Sequence, residues 1–335
     1  MSHEQSAPSL KRIAGALATG LLLSLPLGTA VAKDTGYIFV SSENDNAVTV
    51  LDGKTHAVVK TIATGERPRD MKLNAARDKL YVIASNSERV DIIDIARLAV
   101  ERSVDVGEDP EMFDLSKDGS RFYVSNEEDA KVSVIDIAAN KVLAEIEVGE
   151  EPEGVMISPD GRKLYVTSEV ANMVHVIDTA TNEVKANIVV GNRPRRFAAT
   201  PDGSEVWVTN ELGGSVTILD GVKDAIKGTV SFTPKGFRAD DVTPVGITMT
   251  RDGKTAYVTL GRANHFAVVD VASRAVKDYV LVGQRAWGAT LNRDESLLFV
   301  VNGLSDDVSI IDTKSSKVIK SVPVGRVPHT AVIDD

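Results

Sequence analysis

Arginine recurs where a short Gly-x-x-Pro turn meets the run that follows it. Arg67 and Arg69 flank Pro68, Arg193, Arg195 and Arg196 surround Pro194, Arg285 precedes Ala286, and Arg326 lies close to Pro328. Trp287 and His329 follow two of the same turns, while Asp109/Glu111 and Glu151/Glu153 take the equivalent places in two adjacent ones. Guanidinium forks pair bidentately with carboxylates, and an indole face stacks on a conjugated ring. The set suits a planar or carboxylated anion. Its candidate ligand-binding residues are Arg69, Arg195, Arg196, Arg285, Trp287 and His329. A local insertion adds a candidate partner-contact group, Lys235, Phe237 and Arg238. Counting Arg238 with its repeat makes five of the seven turns basic.

Other chemistry is poorly represented. The chain has no Gly-x-Ser-x-Gly elbow, P-loop or dinucleotide fingerprint, so no catalytic residue is nominated. His56, His175, His265 and His329 fall in four different repeats without the close spacing of metal ligands, so no metal site is nominated. The absence of Cys excludes disulfides, thiolate metal sites and covalently attached c-type haem. A formal net charge of −10 argues against bulk electrostatic binding to nucleic acid or to an anionic membrane.

The elements that position these residues repeat. Residues 121–161 and 163–203 align without a gap at a spacing of 42. An aromatic followed by Val recurs at Phe39, Tyr81, Tyr123, Tyr165, Trp207, Tyr257 and Phe299. An Asp closing an apolar run recurs at Asp52, Asp94, Asp136, Asp178, Asp220, Asp270 and Asp312, with one spacing of 50 in place of 42. Each copy holds four short runs rich in Val, Ile, Tyr and Thr, bounded by Gly, Pro, Asn and Asp. Four antiparallel strands repeated seven times predict an all-β, seven-bladed β-propeller. Residues 37–41 supply a second strand before any first, and residues 329–334 a first strand after the last blade. The C-terminal strand is therefore expected to complete the first blade and close the ring, removing a free edge. The aromatic column is expected to be core, and the Asp column to cap turns.

Residues 1–32 read as a signal peptide: Lys11 and Arg12, an apolar run with Leu21, Leu22 and Leu23, then Ala30-Val31-Ala32. At about 16 residues, and broken by Pro26, the apolar run is short of a membrane span. Cleavage would leave Lys33 as the mature start of a propeller of residues 33–335, exported to the periplasm without a membrane anchor.

Tyr-Val-Ser-Asn at 123–126, Tyr-Val-Thr-Ser at 165–168 and Trp-Val-Thr-Asn at 207–210, with the Val-Gly-x-x-Pro and Pro-Asp-Gly turns, resemble the YVTN family of β-propeller repeats across residues 37–335. The whole-chain pattern is similar to exported propellers associated with pyrroloquinoline quinone-dependent alcohol catabolism. That resemblance implies a periplasmic accessory protein accompanying quinoprotein dehydrogenases and cytochromes. It makes pyrroloquinoline quinone a candidate ligand, and it transfers no functional residue. Three functional readings follow. The first is a non-catalytic binding module for a small anion or a partner protein. The second is a nucleic-acid-binding YVTN propeller, which the net charge disfavours. The third is a lactonase-like hydrolase of related repeat type.

Overall fold

The computed structural model describes residues 1–3 and 34–335. The apolar run and cleavage signal of the expected export segment lie outside the described residues. Within 34–335 the strand-type runs form seven four-stranded antiparallel sheets, as the repeat predicts. The first, β1 (Tyr37–Ser42), pairs with the last, β28 (Pro328–Asp334), so the C-terminal strand completes the first blade. The junction is locked by Asp334, whose Oδ2 accepts from the Thr35 amide at 2.9 Å and the Thr35 hydroxyl at 2.6 Å. Arg77 of the second blade adds an ion pair to Asp334 at 3.0 Å.

The periodic columns take the places their chemistry dictates. The seven aromatics of the second strands are between 0% and 7% exposed, with Trp207 fully enclosed. Its indole N–H donates to Glu205 at 3.1 Å, and Arg274 lies over its ring. The Asp column caps the turns between third and fourth strands. Asp178 accepts from the amides of Ala180 and Thr181, and Asp52 from those of Lys54 and Thr55. At the hub the blades meet backbone to backbone. A Cβ on Gly154 would lie 1.9 Å from the Arg195 carbonyl oxygen, which only glycine allows.

Two local devices determine what faces the tunnel. Each inner strand except that of the sixth blade carries a β-bulge just after its turn. In the second blade, Pro68 pairs with Ala84 and Met71 with Val82, so Arg69 and Asp70 together oppose one residue. Regular strands send consecutive side chains to opposite faces; a bulge relaxes that rule and re-aims them. Both members of each bulged pair can therefore line the tunnel.

The second device is a hydroxyl on the second strand. Ser41, Ser125, Thr167, Thr209 and Thr259 donate to the carbonyls of Arg69, Glu153, Arg195, Val245 and Trp287 of the next blade, at 2.6–3.0 Å. The hydroxyl of the Tyr-Val-Thr motif thus pins the backbone of the tunnel-lining residue beside it.

Candidate functional site at the tunnel mouth

One tunnel entrance opens into a cavity of about 290 Å³. Arg69, Arg195, Arg285 and Trp287 all line it, so four of the six nominated residues share one space. The other two do not. Arg196 lines a second, deeper cavity. His329 lines neither, and at 1% exposure it is sealed between them.

The geometry fixes His329's role. Arg196 donates to its Nε2 at 2.9 Å and Arg69 donates to the same nitrogen at 3.3 Å. A guanidinium can only donate, so Nε2 must be the acceptor and Nδ1 carries the ring proton. Nδ1 lies 3.0 Å from the Thr330 hydroxyl, which completes the arrangement. Burial, and then the adjacent Arg196 and Arg69, hold this imidazole well below the usual histidine range. His329 is a neutral acceptor that orders two arginines, and it lines neither cavity.

The expected basic rim is corrected in three ways. First, the acidic turns do not stand apart from the basic ones; they neutralise them. Glu111 pairs with Arg69 and lies 3.4 Å from Arg67. Glu153 Oε1 receives Arg195 at 3.2 Å, Arg69 at 3.5 Å and Arg196 at 3.6 Å. Burial alone would raise the Glu153 carboxyl, but Arg195, Arg69 and Arg196 outweigh it and hold it below the ordinary range. Second, Arg326 points away and pairs with Asp45 at 2.6 Å. Third, the insertion does not bring Arg238 to the mouth. Lys235, Phe237 and Arg238 are exposed, Phe237 packs edge-on against His265 at 5.2 Å, and buried Val245 fills the insertion blade's place on the tunnel wall.

Sequence reading missed a second acidic set. Glu43, Glu127, Glu169 and Glu211 come from the loops between second and third strands and reach the mouth from outside. Their signal was present: each follows a Ser or Asn that ends an aromatic-Val strand, at intervals of 42 or 84. Glu169 pairs with Arg195 and lies 2.6 Å from Arg193; Glu211 lies 3.6 Å from Arg285. Glu127 differs. No ion pair or side-chain hydrogen bond from the described residues reaches its half-buried carboxylate. Burial, and next the charges of Glu153 and Asp109, raise it above the usual carboxylate range.

Two guanidiniums lie over the Trp287 ring, that of Arg285 4.7 Å and that of Arg195 5.1 Å from its centre. Its indole N–H is buried and has no hydrogen-bond partner among the described residues. The cavity is therefore lined by interleaved arginines and carboxylates around one indole. Histidine spacing predicts no metal site, but carboxylates do converge. Oxygens of Asp109, Glu111 and Glu127, and of Glu127, Glu151 and Glu169, lie within 4.8 Å of one another. Either triad could hold a cation, although Glu111 and Glu169 are already neutralised by arginines.

The ring and its tunnel define the chain as a seven-bladed β-propeller. A YNCE-like β-propeller family model matches residues 19–160, and a seven-bladed β-propeller lactonase model matches residues 178–323. Comparison with curated proteins finds no match. Among solved structures, Kuenenia stuttgartiensis hydrazine synthase is 21% identical with a TM-score of 0.76, covering 88% of this chain and 99% of its own. The periplasmic gluconolactonase PpgL of Pseudomonas aeruginosa is 21% identical with a TM-score of 0.76, covering 89% and 99%. A dihydro-heme d1 dehydrogenase, NirN, is 15% identical with a TM-score of 0.69, covering 90% and 76%. At these identities the likeness is one of fold.

Proposed function

We propose that the mouth cavity hydrolyses a lactone, with an aldonolactone such as gluconolactone as the first substrate to try. The reading rests on Glu127, a carboxylate with no ion-pair partner among the described residues and a raised affinity for protons, facing the same cavity as Arg285, Arg195 and Trp287. Glu127 takes a proton from water, and the hydroxide adds to the lactone carbonyl. Arg285 and Arg195 stabilise the resulting oxyanion. The ring C–O bond then breaks, and the leaving alkoxide recovers the proton from Glu127. The partial match to a lactonase model and the likeness to a gluconolactonase support this reading. The test is hydrolysis of gluconolactone by the purified protein and by Glu127→Gln. A rate equal to the spontaneous one, or an unimpaired variant, would sink it.

A second reading is favoured by the arginine-flanked indole: non-catalytic capture of a planar polycarboxylate such as pyrroloquinoline quinone. It would place the chain as a periplasmic accessory of a quinoprotein dehydrogenase and its cytochrome, on the sequence resemblance described above. Unchanged tryptophan emission on titration with the quinone would remove it.

A further inference from the structure

The tunnel holds a second cavity that neither reading uses. Its volume is about 250 Å³, and it shares no lining residue with the mouth cavity. The cluster of Arg69, Glu153, Arg196 and His329 stands between the two.

Its lining mixes apolar side chains, among them Met71, Met112, Met156 and Phe197, with the charged groups of Asp70, Lys72 and Arg196. Asp70 is 5% exposed, and its Oδ2 accepts no hydrogen bond from any described residue. Lys72 Nζ is 3.9 Å away, beyond hydrogen-bond reach, and sits closer to Asp114 at 3.5 Å. Arg196 is already engaged by Glu153 and His329. Lys72 thus faces two carboxylates, and one buried oxygen of Asp70 has no hydrogen-bond donor among the described residues. A buried acceptor in that state is costly and wants a partner.

The walls decide what kind of partner. Divalent metal ions such as Ca²⁺ take six to eight oxygen ligands, and this cavity offers one free carboxylate among thioethers. Methionine side chains are adaptable and polarizable and accept apolar bodies of varied shape. Lys72 lines the cavity and keeps 31% of its side-chain surface uncovered by protein atoms.

We infer that this cavity binds a small organic ammonium ion, its N–H donating to Asp70 Oδ2 and its apolar body lying against Met71, Met112 and Met156. The inference is independent of lactone hydrolysis at the mouth.

The probe is benzylammonium, with benzyl alcohol and benzoate as controls, titrated calorimetrically into the full chain. Saturable one-to-one binding of benzylammonium alone is expected, weakened about tenfold or more by Asp70→Asn. Lys72→Met removes the competing cation and is expected to tighten binding by about tenfold; this variant decides the matter if Asp70→Asn does not fold. Trp287→Phe, in the other cavity, leaves the affinity unchanged. The inference is overturned if wild type shows no binding at about 10 mM, or if the alcohol binds equally well. It is also overturned if Asp70→Asn binds as wild type, if Lys72→Met brings no tightening, or if Trp287→Phe abolishes binding.

Discussion

Arg196 donates to Nε2 of His329 at 2.9 Å across the tunnel, joining residues 133 positions apart in the chain. Because Arg69 donates to the same nitrogen, the ring must remain neutral for both contacts to persist. His329→Gln keeps a carbonyl acceptor and should retain most stability, whereas His329→Lys adds a further buried cation beside Arg69 and Arg196 and should not fold. Nitrogen chemical shifts should show Nδ1 protonated, with no titration across the ordinary histidine range.

Glu153 is the hub of the buried ion-pair cluster. Glu153→Gln removes a carboxylate within 4.0 Å of three guanidiniums, those of Arg69, Arg195 and Arg196. Uncompensated buried charge costs about 3–5 kcal/mol when a partner is deleted. Denaturant unfolding should show a loss of that size, and full stability in the variant would disprove the hub role.

Glu127 bears the opposite expectation. Its carboxyl is raised by burial and neighbouring acids, so its ionised form opposes folding and Glu127→Gln should leave the melting temperature unchanged or higher. The same change should lower lactone hydrolysis by about 10²–10⁴-fold, the usual worth of a general base. In wild type the rate should fall as pH drops through a value above the ordinary carboxylate range. Since arginines neutralise Glu111 and Glu169 in the two carboxylate triads, a chelator should leave the rate intact.

The pH dependence of stability follows from signs. Glu205, paired with Arg274 at 2.5 Å, is held down to about 2 from an ordinary value near 4.5, by Arg274 first. A depressed carboxyl stabilises the fold above its unfolded value, and that stabilisation is lost as pH falls toward its folded one. Melting temperatures should therefore decline between pH 4.5 and about 2, and Arg274→Ala should flatten that part of the decline. Glu127, being raised, works in the other direction at milder acidity.

Thr167→Val tests the inter-blade pin. The Thr167 hydroxyl donates to the Arg195 carbonyl at 3.0 Å and accepts from the Gly154 amide at 2.7 Å. Valine preserves the shape but leaves two buried backbone groups unmatched, a loss of about 1–3 kcal/mol. Ligand affinity at the mouth should fall with it, because Arg195 loses its backbone anchor.

Much of the ring was legible because a sevenfold repeat writes each structural requirement seven times. The aromatic column, the capping aspartates and the completion of the first blade by β28 could be read from spacing alone. The mouth was less legible. Arg69, Arg195, Arg285 and Trp287 were marked by their breaks in symmetry, but side-chain reach decides which charges meet. Period 2 does not reveal that a bulge sends Arg195 and Arg196 into different cavities. Nor could spacing show that Glu169 and Glu211, from loops on other strands, would neutralise the arginines. Arg238 was misplaced because its insertion was credited to the rim, while buried Val245 holds that position.

The pairing of β28 with β1 also orders events in time. No growing chain can finish its first blade until β28 has been made, so every shorter intermediate carries an open edge. The circle cannot be joined before β28 is available to pair with β1.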